Sequence, residues 1–334
     1  MMLSRRNALL LPLLGLSPAF ADARKEVAFA AAPQPLAMVM NSGEASVSII
    51  DMTSRQVIKT TPTLREPSHW ALSPDRSKLY IADASGNALF ILDPLTGDGL
   101  GSKRIADPYQ LAYTPDQKYV VVNALRLNHV DVYDAASFGL VKRFAPGSMP
   151  SHLDFSPDSR WSFNSCQGGE TLFSFDIAAM TPRWNAKIGK TPAGVLWHNN
   201  KVLVCIMGSD HLAQIDPETG AVERRIVTGI GPHNLFLSPD RSVLYVSNRV
   251  GGSLAALDPV TLTLQRTYPL PGGPDDMGIA PDGKLWIALR FREQVAVMDA
   301  GSGDYDTIDV GRSPHGIFLN TELSKPGKFT AEVL

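Results

Sequence analysis

The stretch GPHNLFLSPDRSVLYVSNRVGGSLAALDPVTLTLQRTYPL, Gly231 to Leu270, reads as four short strands. Apolar residues alternate in NLFL, LYVS, SLAAL and TLQRTY, and the turn sequences SPDRS, NRVGGS and DPVT separate them. Period-2 alternation between Gly/Pro/Asp-rich turns is the pattern of half-buried antiparallel strands. The unit recurs along the chain. A proline seven residues before the turn proline appears as Pro67, Pro108, Pro150, Pro192, Pro232, Pro274 and Pro314. An aspartate closing the third strand appears as Asp51, Asp93, Asp134, Asp176, Asp216, Asp258 and Asp299. Both series step by 40 to 42 residues, which is the period of a propeller blade. Two independent markers agree on seven repeats, and the expectation is an all-β, seven-bladed β-propeller of four-stranded antiparallel blades.

The ends fit a closed ring. The last repeat supplies one strand, HGIFLN, after Pro314, and the segment LAMVMNSGEASVSIIDMTSRQVIKT supplies three. One blade is therefore expected to combine both termini, which leaves no open sheet edge. The propeller is expected over residues 36–320, with a linker at 22–35 and a C-terminal tail at 321–334.

The first 21 residues, MMLSRRNALLLPLLGLSPAFA, carry a basic pair, a short apolar run and an A-x-A site at Ala19-Phe20-Ala21. These are the parts of a cleaved export signal. Ser4-Arg5-Arg6 followed by Leu9-Leu10 is twin-arginine-like; an ordinary secretory signal with two arginines is the competing reading. The apolar run is shorter than the ~20 residues of a spanning helix, and no other segment qualifies. A periplasmic location is the expectation. Cleavage removes Arg5 and Arg6 and leaves 29 basic against 33 acidic residues. The near-neutral balance argues against a general nucleic-acid binder, which needs basic patches to displace phosphate counterions.

Strand alternation sorts the loops onto two faces. The SPD-type turns (Ser73, Thr114, Ser156, Ser238, Ala280) and the Asp-Pro turns share one face. They read as architecture, because Pro sets φ and Asp bonds back to turn amides. Trp197-His198-Asn199-Asn200 reads as a drifted turn of that set. The opposite face is heterogeneous. The first two positions after each inner-strand proline lie at the channel mouth, and they bring His69, Gln110, His152, His233, Asn234, Asp275, Asp276 and His315 to one rim. Loops after the second strands add Arg249 and Arg290, with Arg126, Cys166 and Arg292 nearby. Convergent imidazoles and carboxylates suit a divalent metal, with His69, His152, His233 and His315 as the candidate ligands. They also suit general acid–base work or axial ligation of a macrocycle. The arginines suit a carboxylate or phosphate. The structural alternative is that each histidine bonds the backbone of the neighbouring blade. His69 and His152 stand at the second position and His233 and His315 at the first, so strict alternation would not aim all four one way. His129 and His211 precede third strands and read as surface residues. Two cysteines, Cys166 and Cys205, admit a disulfide in an oxidising compartment. No CxxCH motif is present, so no covalent c-type haem is expected.

The units PHNLFLSPDRSVLYVSN and PHGIFLN, with ILDPLTG and QIDPETG, resemble the YVTN family of seven-bladed propellers over roughly residues 37–320. The resemblance implies the fold strongly and function weakly. It implies surface-layer or exported binding proteins among the relatives. It is also similar to the haem domain of cytochrome cd-type nitrite reductases, and more distantly to propeller lactonases and streptogramin lyases, which work at the same mouth. The expected function is an exported binding or scaffold propeller presenting a His/Asp/Arg-lined mouth to a small ligand or protein partner. The alternatives are a metal-dependent lyase or hydrolase using a rim histidine, and a haem-binding or haem-maturation protein. The sequence leaves open whether the protein is an enzyme, and whether its cofactor is a divalent metal, haem or neither.

Overall fold

A computed structural model describes residues 34–324. The signal reading at 1–21, nearly all of the linker and most of the tail lie outside the described residues. The described residues form 28 strands, numbered here in chain order, in seven four-stranded antiparallel sheets. The ring closes where β28 (Pro314–Leu319) pairs with β1 (Leu36–Asn41), followed by β2 (Ser46–Asp51) and β3 (Gln56–Pro62). Termini shared in one blade were the sequence expectation, and the register Val39↔Ile317 realises it.

The inner strands are β28, β4 (Pro67–Leu72), β8 (Pro108–Tyr113), β12 (Pro150–Phe155), β16 (Pro192–His198), β20 (Pro232–Leu237) and β24 (Pro274–Ile279). Each begins on one of the seven repeat prolines. Apart from a few edge positions they are buried, whereas the outer strands are largely exposed. The core therefore lies between blades. Trp70, for example, packs edge to face on Phe318 of the preceding blade and donates its indole N–H to Ile317 O at 2.9 Å.

The turn face behaves as architecture. Asp216 Oδ1 accepts the amides of Glu218 and Thr219, and Asp258 Oδ1 those of Val260 and Thr261. Ser73, Thr114, Ser156 and Ser238 each donate a hydroxyl to the aspartate two residues on. Asn199-Asn200 forms a two-residue hairpin turn with positive φ at both positions, the geometry that asparagine tolerates best after glycine. After β28 the chain enters a 3-10 turn, Asn320–Ser324, whose Leu323 packs on the first core cluster. No helix among the described residues is long and apolar enough to cross a membrane.

Every inner strand carries one irregularity at its mouth end. The pairing register slips by one residue between the proline and the third or second residue after it, as between Pro67 and Trp70 and between Pro232 and Asn234. The slip recurs in the other five blades. A β-bulge of this kind re-aims side chains that strict alternation would place on opposite faces.

Candidate functional site at the channel mouth

The bulges have a direct consequence. Histidines from the first and second positions after proline meet in one ring, despite their different phase in the sequence. His69 lies 4.9 Å from Tyr109, 5.1 Å from His152 and 4.6 Å from His315, ring centre to ring centre. His152 lies 5.1 Å from His233, and His233 lies 6.4 Å from His315. Most contacts are edge to face, with interplanar angles of 61° to 89° for the rings facing His69 and His152. Five of the seven blades thus close the channel with four imidazoles and one phenol. The sequence reading placed these histidines on a rim. The structure seals them beneath it, none more than 2% exposed.

Two close contacts set two tautomers. His69 Nδ1 lies 3.1 Å from Tyr109 O, and a carbonyl only accepts, so Nδ1 carries the proton. His233 Nδ1 stands 2.6 Å from Asp275 Oδ1, out of line for a hydrogen bond; two lone pairs would repel at that separation, so this Nδ1 carries the proton as well. In both neutral rings the lone pair is then on Nε2. His152 Nδ1 meets Ser151 Oγ at 3.1 Å, and His315 Nε2 approaches Asp275 Oδ2 to 3.7 Å.

Burial decides the protonation states. It disfavours the imidazolium, and holds His69 down to about 3 and His233 down to about 4. Burial also holds His152 and His315 well below the ordinary histidine value; neighbouring imidazoles add to the effect for His152, and Arg290 for His315. Burial opposes ionisation of Asp275 too, yet His233, Arg249 and His315 outweigh it and keep the carboxyl well below the usual range. Asp276 goes the other way, raised well above that range by burial and by the charge on Asp275.

Asp275 is the charged centre. Arg249 Nη1 lies 3.3 Å from both its oxygens, and Arg290 Nη1 lies 3.4 Å from Oδ2. Arg249 Nη2 also touches Met207 Sδ at 3.3 Å. Two guanidiniums therefore share one carboxylate beside four neutral imidazoles.

Other expected members are placed differently. Gln110 Oε1 accepts the amide of Leu153, and Asp276 Oδ2 that of Ile317, so both bridge neighbouring blades. Asn234 Oδ1 accepts the amide of Leu235, and its Nδ2 is buried with no hydrogen-bond partner. Arg126 stands apart, paired with Glu66 and Asp107. Cys166 ends β13 (Trp161–Cys166) inside the core rather than in the following loop, and Cys205 is buried as well. His129 and His211 are half-buried at the starts of third strands. Tyr109 was not among the expected site residues, although it holds the same first position after its proline as His233. Surface clefts of about 410 to 550 Å³ lie on the opposite face among the SPD and Asp-Pro turns.

Known proteins bear on the fold. None of the curated proteins matches the sequence. Among solved structures, the periplasmic gluconolactonase PpgL of Pseudomonas aeruginosa is similar, with a TM-score of 0.68, 19% identity, and coverage of 85% of this chain and 98% of that one. The dihydro-haem d1 dehydrogenase NirN in complex with DHE is similar at TM-score 0.64 and 17% identity, covering 87% and 76%. Hydrazine synthase of Kuenenia stuttgartiensis is similar at TM-score 0.57 and 16% identity, covering 86% and 98%. At these identities the shared property is the fold. The family model of the YNCE-like β-propellers matches residues 5–324, nearly the whole chain, and with its seven four-stranded blades the chain belongs to the YNCE-like β-propeller family.

Proposed function

We propose that this chain is an exported binding propeller whose ligand site is the channel mouth, and that the four-histidine ring there takes a d-block metal ion. One observation carries the reading. His69 donates its Nδ1 proton to a backbone carbonyl, and His233 turns its Nδ1 towards a carboxylate oxygen 2.6 Å away. That is the outer-shell arrangement that orients a metal-binding imidazole and leaves the Nε2 lone pair for the ion. The neutral state of the rings supports it, since only neutral imidazole coordinates. His233 Nε2 has no hydrogen-bond partner although it is buried, an expense that binding would relieve. An all-imidazole set favours zinc, copper or nickel over calcium or magnesium, which take oxygen ligands.

Among the described residues no three such donors, as placed, stand close enough to share an ion. Loading therefore requires the rings to turn from edge-to-face contact so that their Nε2 atoms converge. His69 would turn about its Nδ1 bond to Tyr109 O, and Asp275 would keep its charge beside His233 and the two arginines. The metal, when bound, supplies a Lewis-acidic centre at the floor of the mouth.

Elemental analysis and titration of chelator-treated protein with Zn²⁺, Cu²⁺ and Ni²⁺ test the proposal. One equivalent is expected to bind, and His69→Ala or His233→Ala to lose it while His198→Ala, on the opposite face, keeps it. A folded protein that binds none of the three ions overturns the reading. An absorption spectrum of the protein from its own compartment belongs to the same experiment: a Soret band would replace the bare ion by a tetrapyrrole, the second reading, which the likeness to NirN supports.

A further inference from the structure

Two neighbouring blades share a device that the other five lack. The residue before the inner-strand proline is glycine only at Gly231-Pro232 and Gly273-Pro274. In each of these blades the loop after the second strand is an arginine followed by an apolar residue, Arg249-Val250 and Arg290-Phe291. The two halves fit together. Both glycines have positive φ, +64° and +72°. The apolar side chain lies where their Cβ would be: 2.4 Å separates that position from Val250 Cγ2 in one blade and from Phe291 Cδ2 in the other. The left-handed backbone is common to this position, since Asp107, Met149, Thr191 and Ser313 share it before their own prolines; the empty site is the demand that only glycine meets.

This folding-over leaves the apolar groups at the surface. Val250 is 62% exposed, Phe291 65%, and Ile230, whose carbonyl receives the Gly251 amide, 58%. Their arginine neighbours turn the other way: Arg249 is 14% and Arg290 24% exposed, and both point to Asp275. An apolar ledge thus borders a pair of guanidiniums that share a single carboxylate. The third Arg-apolar loop, Arg126-Leu127, provides the contrast. Arg126 faces two acids, Glu66 and Asp107, so no positive charge is left over there.

We propose that the mouth binds an amphipathic monocarboxylate, with its carboxylate against Arg249 and Arg290 and its apolar body across Ile230, Val250 and Phe291. The excess positive charge selects the acid, and the ledge, which nothing among the described residues covers, selects the tail. This rests on the mouth being the ligand site, not on the metal.

The test uses metal-free protein and calorimetric titration with acetate, hexanoate and octanoate, with octanol and octylammonium as controls. Affinity is expected to rise roughly two- to fourfold per methylene, and both controls to bind at least tenfold more weakly than octanoate. Phe291→Ser and Val250→Ser, both exposed, are expected to keep the melting temperature and flatten the chain-length series. Arg290→Gln is expected to remove the preference for octanoate over octanol. Acetate binding as well as octanoate, octylammonium binding as well as octanoate, or Phe291→Ser with unchanged octanoate affinity each overturns the proposal. His69→Ala is included because it separates the two readings: loss of metal with octanoate binding intact leaves this inference standing alone.

Discussion

His233 Nδ1 and Asp275 Oδ1 stand 2.6 Å apart with both side chains sealed from solvent. This pair ties the imidazole ring of the mouth to its charged groups, because the same carboxylate also faces Arg249 and Arg290. Asp275→Asn keeps an oxygen at the site but removes the charge. Two partly buried guanidiniums are then left without their counter-ion, and breaking a buried ionic contact from one side costs about 3–5 kcal/mol. Urea unfolding at neutral pH is expected to show a loss of that order, partly recovered in the Asp275→Asn, Arg290→Gln double variant. A single variant as stable as the parent would mean that the arginines do not depend on Asp275.

The four imidazoles make metal-free protein acid-sensitive. Their folded-state values are depressed, to about 3 for His69 and about 4 for His233, with His152 and His315 also well below normal. Between those values and the unfolded value of about 6.5, the unfolded chain binds more protons. Stability is therefore full above pH 6.5, falls as pH drops towards 4, and levels off below the folded values. Each histidine contributes up to about 1.4 kcal/mol per pH unit in that window. Asp276, raised by burial, acts in the opposite sense, but with one proton against four. The melting temperature is expected to fall between pH 7 and pH 5 with buffer ionic strength held constant. A flat or rising profile would contradict the burial of neutral imidazoles.

Much of this was legible in the residues. The Pro and Asp series carry the blade period because each marks a position that every blade must repeat, an inner-strand start and a third-strand end. The shared terminal blade follows from the same count. The convergence of the histidines was only half legible. Alternation predicts that His69 and His233, one residue out of phase, face opposite ways, and the bulge that reconciles them leaves no distinct residue signature. Burial was not legible at all, since it arises only where side chains from five different blades meet across the channel. Nor were the roles of Gln110 and Asp276, whose acceptors serve amides about 40 residues away.

The two thiols are expected to be inert. Cys166 and Cys205 are both buried, in different core clusters, and burial pushes the Cys166 thiol up to about 12. A thiolate is the reactive form. A maleimide or aromatic disulfide reagent is expected to label neither thiol in the native protein and both after denaturation, and reductant is expected to leave the melting temperature unchanged. A reductant-sensitive melting temperature would reveal a bridge.

Asp83 shows how the mouth loops are held. Fully buried, its carboxylate accepts the amides of Leu64, Arg65, Glu66 and Gly86. Asp83→Ala strands four donors at once, and a cost of about 2 kcal/mol or more is expected. The turn-face carboxylates serve fewer amides near solvent, so Asp216→Ala is expected to lower the melting temperature less and to leave metal and ligand binding unchanged. Loss of binding in Asp216→Ala at an unchanged melting temperature would move function to the turn face.

Asp276 distinguishes a bridge from a ligand. It sits one residue beyond the ionised Asp275, yet its environment favours the protonated form, and its oxygens accept the amides of Met277 and Ile317. The preceding blade has asparagine at the same position, where Asn234 Oδ1 accepts the amide of Leu235 just as Asp276 Oδ1 accepts that of Met277. Asp276→Asn therefore keeps the acceptors and removes an unfavourable ionisation. For an acid with a raised folded-state value, the folded chain binds more protons above the unfolded value of about 3.8, so the parent loses stability as pH rises through that window. Asp276→Asn is spared the loss, and its stability relative to the parent is expected to increase from pH 4.5 to pH 7 with metal and octanoate binding unchanged. A variant that loses ligand at every pH while folding normally would place Asp276 in the site rather than between the blades.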